Sequence, residues 1–264
     1  MKTWTKAYLW LLIPVLMLAF KSHRLENGTF QRGEFLKFRL HYGIINAGYA
    51  SLQIAEDTVY QGGHPCYHVL GKGWSNSTWD LVFKVRDRYE SWIDQESLTP
   101  RKFERHIQEG GFSMYQKVLF AQQSGKAYYY DPGRGKQTYE VPEDIQDVLS
   151  AFFYARAKYD HQTLKVGDRI SLRNFLDRKT FDLEAKMLNR ESIKIGNHRF
   201  QALKFDLLIE EAGLITDGSK IQFWISDDAN KIPLRIESEL MIGSLRCDLI
   251  EWRGLRHPLL ALVE

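Results

Sequence analysis

The side chains best suited to chemistry are few in this sequence, and they are scattered. Asp227-Asp228 is the most inviting carboxylate pair for holding a metal or moving a proton. Neighbouring residues of a strand, however, point to opposite faces, and Asp-Asp-x-Asn is ordinary turn composition. A structural turn is therefore the expectation there. The eight histidines are dispersed: His64 and His257 stand beside prolines, His41 and His106 within strand-like runs. A zinc site needs three or four ligands brought together, and none gathers around these residues, so no metal is expected. Ser150 lacks the Gly-x-Ser-x-Gly surround of a hydrolase nucleophile elbow. No catalytic set is assigned. Arg156 is more informative, because it stands beside an aromatic run. It would pair with a strand carboxylate such as Asp87 or Asp94, or else bind an anionic head group.

These residues need elements to position them. The longest helical pattern is Val141 to Asp160, where Ile145, Val148, Leu149, Phe152 and Tyr159 recur at helical spacing. Glu143, Asp144 and Asp147 crowd its start, while Arg156 and Lys158 close it, each on the side that the helix dipole favours. So aromatic a stripe needs a sheet to lie on, and the expectation is that it buries Phe152 there. The rest of the chain reads as strands. Leu36, Phe38, Leu40 and Tyr42 alternate with charged residues, as do Phe181, Leu183, Ala185 and Met187. Ala47-Gly48-Tyr49-Ala50 returns with small residues, as where backbones approach closely. Gly71-Lys72-Gly73-Trp74 lacks the spacing of a phosphate loop and is read as a kinked strand end. Asp131-Pro132-Gly133-Arg134-Gly135 is a turn leading directly into the helix.

Strands about a dozen residues apart, joined by turn signals, favour antiparallel pairing, since each parallel pair would need its own crossover helix. The expected fold is mainly β: a strongly curved antiparallel sheet or barrel-like domain over residues 23–264, with one central amphipathic helix packed on it. Closed barrel and open curved sheet both remain open. Several pieces together resemble a bacterial envelope family known as domain of unknown function 3108. They are Gly33-Glu34-x-Leu36, Tyr42-Gly43 with Ala47-Gly48, Asp147 to Phe153 with Tyr154 and Arg156, and Trp224-x-Ser226-Asp227-Asp228 with Pro233. The likeness runs from Gly33 to about Leu249. It implies an exported, β-rich protein and brings no catalytic residues.

Compartment is read from the first 22 residues. Lys2 and Lys6 precede an apolar run, Ala7 to Phe20, too short to span a bilayer comfortably. This is a secretory signal, with an uncleaved membrane tether as the alternative because Phe20-Lys21 makes a poor processing site. The membrane is engaged only through this segment. Three of the 36 basic residues lie in it, leaving 33 against 33 acidic ones, so nucleic-acid binding has no electrostatic support. Cys66 and Cys247 read either as two small buried side chains or as a disulfide joining an early strand to the last.

The functional reading is a non-enzymatic binding or carrier module for a lipid or other amphiphilic ligand. Tyr42, Trp74, Trp79, Phe152, Phe153, Arg156 and Trp224 are its candidate lining. An assembly protein with an envelope protein partner is the alternative, and an enzyme on envelope polysaccharide lacks a visible carboxylate pair. No cofactor is expected. Export has a direct check: residues 1–30 fused to a reporter active only outside the cytoplasm should give signal, and a silent, normally expressed fusion would refute it.

Overall fold

The structure is a computed structural model and describes residues 25–209, 221–239 and 244–263. The leader lies outside these residues. Nine strands precede the helix: β1 (Phe35–Tyr42), β2 (Ile45–Ile54), β3 (Val59–Gln61), β4 (His64–Ser75), β5 (Arg86–Asp94), β6 (Pro100–Glu109), β7 (Phe112–Ala121), β8 (Lys126–Asp131) and β9 (Gly135–Glu140). Helix α1 (Ser150–Lys158) is followed by β10 (Arg169–Leu176), β11 (Lys179–Ile195), β12 (His198–Ile209), β13 (Ile221–Ser226), β14 (Pro233–Glu239) and β15 (Ser244–Arg253). All pairs are antiparallel in one sheet, ordered β10-β11-β12-β13-β14-β15-β1-β2-β4-β5-β6-β7-β8-β9, with β3 on β4. The first and last strands meet in its middle, where Leu36 lies opposite Trp252 and Leu40 opposite Cys247.

Strand alternation sets the inner face. Phe103, Arg105 and Ile107 of β6 are buried, as are Gln116, Val118 and Phe120 of β7. The sheet is strongly curved and not closed. Its β10 edge is covered by the chain just before α1: Gln146 donates its N–H to Arg173 O at 2.8 Å and accepts from the Phe175 N–H at 2.8 Å. The tip of the β10–β11 hairpin docks across the gap, where Asp177 binds the buried Arg105 guanidinium and Gln116. Phe175, Leu176 and Phe181 pack there with Phe103, Val118 and Tyr129. Gly48 marks the tight approach of β2 to β4, since a Cβ there would stand 2.2 Å from Trp74 O. Small residues at that point were legible in the sequence.

Three local expectations need correction. The helix is nine residues, not twenty, because Asp147 caps it late. Its carboxylate accepts the N–H groups of Leu149 and Ser150 at 2.8 Å, and the Asp147 N–H donates to Ser150 Oγ at 2.9 Å. That is a reciprocal capping box. Before it, Asp144 adopts φ 62°, which breaks helical geometry, and Gln146 is engaged with β10. The helix therefore buries Ala151, Phe153, Tyr154 and Arg156, while Phe152 is only half-buried. Strand β9 intervenes between the Asp131–Gly135 turn and the helix. Gly71 and Gly73 stand inside a regular strand paired on both sides, not at a kinked end.

One buried ion pair anchors α1 to the sheet. Arg156 Nη1 and Nη2 bind Glu34 Oε1 and Oε2 at 2.6 and 2.9 Å, with the two residues 2% and 1% exposed. Arg156 Nε and Nη2 also donate to Asn230 O at 3.0 and 2.8 Å. Phe30, Phe152 and Phe153 surround the guanidinium, with ring centres 5.3–5.4 Å away. A buried charge whose partner is removed has nothing to replace it. Glu34→Gln should lower unfolding free energy by about 3–5 kcal/mol in urea titrations. Glu34→Gln with Arg156→Met should recover part of that loss. A single variant within about 0.5 kcal/mol of wild type, the scatter of neutral substitutions, would contradict this placement.

Candidate functional site

A cavity of about 560 Å³ lies between α1 and the inner face of the sheet. Phe38, Ala50, Leu52, Gly71 and Gly73 form one wall; Leu172, Leu183, Ala185, Phe205, Phe223 and Ile225 form the other. Leu149, Phe152, Phe153, Ala155 and Tyr159 cover it from the helix side. The space exists because small residues line positions that a packed core would fill. Ala50, Gly71 and Gly73 stand in adjacent strands, and Ala151 and Ala155 face them from the helix. A Cβ on Gly73 would find its nearest neighbour, Asp87 Cβ, only at 4.0 Å. Few residues in the lining carry charge: Lys72, Asp87, Arg156 and Lys231.

Of the aromatic and basic residues singled out in the sequence, Phe152, Phe153 and Arg156 line this cavity together. The others do not. Trp74 packs on Tyr49 with ring centres 6.0 Å apart, and Tyr42 meets Trp79 edge-on at 6.4 Å near the β1–β2 turn. Trp224 donates its indole N–H to Glu191 Oε1 at 2.5 Å and lies under Lys204, on the face of β13 opposite to Phe223 and Ile225. Arg156 does form an ion pair, but with Glu34, not with Asp87 or Asp94. Asp94 is bound by Arg101 at 2.7 Å, and Asp87 accepts the Gln108 N–H.

The cysteines are free. Cys66 is in β4 and Cys247 in β15, three strand spacings apart, which is roughly 14 Å and too far for a disulfide. Burial pushes their thiols up, to about 11 for Cys66 and about 12 for Cys247, so neither is a ready nucleophile. Asp228 organises its own turn: Oδ1 accepts from Ser226 Oγ at 2.9 Å and the Asn230 N–H at 3.0 Å, and Oδ2 from the Ala261 N–H at 3.1 Å. Asp227 forms a surface ion pair with Arg190.

Sequence reading missed one constellation. Glu90, Glu104 and His106 bring ligand-type atoms within 4.8 Å of one another, on cross-strand neighbours of β5 and β6. Register alone could have found it. The carboxylates are already engaged: Glu90 by His68 at 2.8 Å and Arg88 at 2.9 Å, Glu104 by Lys102 at 2.9 Å and the Tyr115 hydroxyl at 3.2 Å. His64 and His68 stand four apart, but along a strand, where that spacing separates them by roughly 13 Å. Lys231, Glu34 and the glycines of β4 were likewise not singled out as site residues. Lys231 and the glycines share the cavity wall, and Glu34 meets it only through Arg156.

This arrangement defines a β-barrel-like protein, a deeply curved antiparallel sheet around an apolar hollow. The chain belongs to the DUF3108 family, described as protein of unknown function, which matches residues 37–250. Among solved structures it is similar to a β-barrel-like protein of domain of unknown function DUF1849 from Brucella abortus. The TM-score is 0.56 at 9% identity, over 87% of this chain and 99% of that one. Weaker likenesses are to an inferred lipoprotein from Parabacteroides distasonis (TM-score 0.35, 10% identity, 86% of this chain and 100% of that) and an inferred exported protein with YmcC-like fold from Bacteroides fragilis (0.36, 9%, 86% and 98%). No curated protein matches the chain. Among the described residues no helix is long and apolar enough to cross a membrane.

The helix cap beside the cavity carries a pH signature. Asp147 is fully buried with no cationic partner, and its Oδ2 accepts the Ser91 hydroxyl at 2.6 Å. Desolvation outweighs these bonds and raises its carboxyl to about 6. The folded state thus holds a proton that the unfolded chain, with an ordinary aspartate near 3.9, has released. Its contribution is present at low pH and lost as pH rises from about 4 to about 6, by up to about 3 kcal/mol. Asp147→Asn removes the titrating group, so the variant's stability should gain on wild type across that window. A difference that stays flat from pH 4 to 7 would contradict the burial.

Proposed function

We propose that this is an exported binding or carrier protein that holds one apolar or amphiphilic molecule in the cavity beneath α1. The observation that carries the reading is the void itself. Protein interiors leave few gaps larger than a water molecule, whereas small-molecule sites run to some 300–1,000 Å³. At about 560 Å³ this hollow belongs to the second class. Its lining favours binding over catalysis, because Asp87 is the one carboxylate among the described lining residues, and Glu109, the acid that meets it, is not among them. The basic, apolar leader supports export.

Gly73 offers a clean test. It has ordinary negative φ geometry and open space where a side chain would enter, so Gly73→Leu would fill the hollow without striking the backbone. Wild type should enhance the fluorescence of the neutral apolar probe N-phenyl-1-naphthylamine saturably. Gly73→Leu should abolish that response with an unchanged or higher melting temperature. Equal binding by both proteins would contradict the cavity as the site.

A specific observation also favours a second reading, a surface for an envelope protein partner. Ile44 is 99% exposed, and Leu81, Val82, Phe83 and Phe112 are exposed as well. These residues gather at one end, since Asn76, just before the 79–85 segment, hydrogen-bonds Asn46 O and Ala47 O at the start of β2, and Phe83 abuts Gly110. Contiguous apolar surface of this kind usually meets a partner.

A further inference from the structure

Within the cavity one charge is not accounted for. Arg156 is saturated by Glu34 and Asn230, and Lys72 is exposed. Lys231 is different. It lines the cavity, it is only 7% exposed, and no hydrogen bond or ion pair holds its ammonium among the described residues. Its backbone is fixed in the left-handed region at φ 48°, which a lysine adopts only when the surroundings impose it. The surroundings are the Asp228 turn: the Lys231 N–H donates to Asp228 Oδ1, and the next residue, Ile232, donates its N–H to Ser226 Oγ at 2.9 Å. The turn thus delivers a cation into an apolar hollow at the cost of strain and desolvation. Asp228 and Asp160 are the acids whose fields reach it, and Arg156 opposes them. Burial drives its pKa down, as for an ammonium without an adequate counter-ion.

An unpaired ammonium set among apolar walls is poorly solvated and draws an anion to it. We propose that Lys231 is the headgroup contact for a single-chain anionic amphiphile, whose carboxylate or phosphate pairs with its ammonium while the apolar tail fills the cavity. This rests on the cavity being a binding site and names the chemistry it selects. Lys231 would give both affinity and orientation, since the walls alone do not distinguish one end of a chain from the other.

The test compares three probes below their micelle-forming concentrations by isothermal titration: oleate, oleyl alcohol and oleoyl lysophosphatidic acid. Each is titrated into wild type and Lys231→Met, which keeps the apolar stem and removes the charge. Wild type should bind at least one anionic probe about 10–100-fold more tightly than the alcohol, the scale of a charge-assisted hydrogen bond. Lys231→Met should bind the alcohol as wild type does and lose the preference. Whichever anion is preferred identifies the headgroup as carboxylate or phosphate. Binding of all three with no preference, or a preference that survives in Lys231→Met, would overturn the headgroup assignment and leave the cavity reading standing. Failure of every probe to bind wild type would overturn both. Should Lys231→Met not fold, the comparison of acid with alcohol on wild type decides alone: equal affinity refutes the proposal.

Discussion

The Glu34–Arg156 pair is the constraint on which the rest of this structure depends. A short helix cannot hold itself on a sheet by propensity, and α1 has nine residues. It is fixed at its C-terminal end by a bidentate pair buried on both sides. At its N-terminal end the Asp147 carboxylate bonds both the first turn and Ser91 of β5. Thr29 Oγ1 donates to the Arg156 carbonyl at 3.0 Å, and Phe30 packs edge-on against Phe153 with centres 4.9 Å apart. With both ends held, the stretch between them need not collapse onto the sheet. The hollow beneath α1 is the space those two anchors span.

The same turn serves both the anchor and the cavity. Asp228 shapes residues 226–231; Asn230 offers its carbonyl to Arg156 while its side-chain amide donates to the His257 and Pro258 carbonyls. Lys231, the next residue, turns into the cavity wall. Segments that lie far apart in the sequence therefore converge on one buried polar knot: Glu34 before β1, Arg156 in α1, and the Ser226–Asn230 turn after β13. Such a knot is costly to desolvate and weak evidence for stability. Here its geometry sets where the helix, and so the roof of the cavity, must lie.

Much of the fold could be read from the chain. Period-two runs such as Leu36, Phe38 and Leu40 located strands, and the lack of crossover helices required antiparallel pairing. The curvature followed from the need to manage edges in so long a sheet. The helix boundary was not legible. Ile145 fits a helical stripe, yet the cap at Asp147 and the pairing of Gln146 with β10 hold it out of the helix. The aromatic residues misled for a related reason. Tyr42, Trp74 and Trp224 follow strand propensity and fall on whichever face the register dictates, away from the hollow. The cavity is made by residues that are absent in bulk, Ala50, Gly71, Gly73 and Ala155, and its charge by a lysine in a turn. Neither leaves a motif.

The central claim is that the hollow beneath α1 is a binding site and not a packing defect. Native mass spectrometry of the full chain, purified gently from the cells that make it, addresses it most directly. A 1:1 adduct of amphiphile mass, released on unfolding and lost in Gly73→Leu, is the predicted result. A bare mass for wild type at every stage of purification, with no adduct regained on exposure to a total lipid extract, would contradict it.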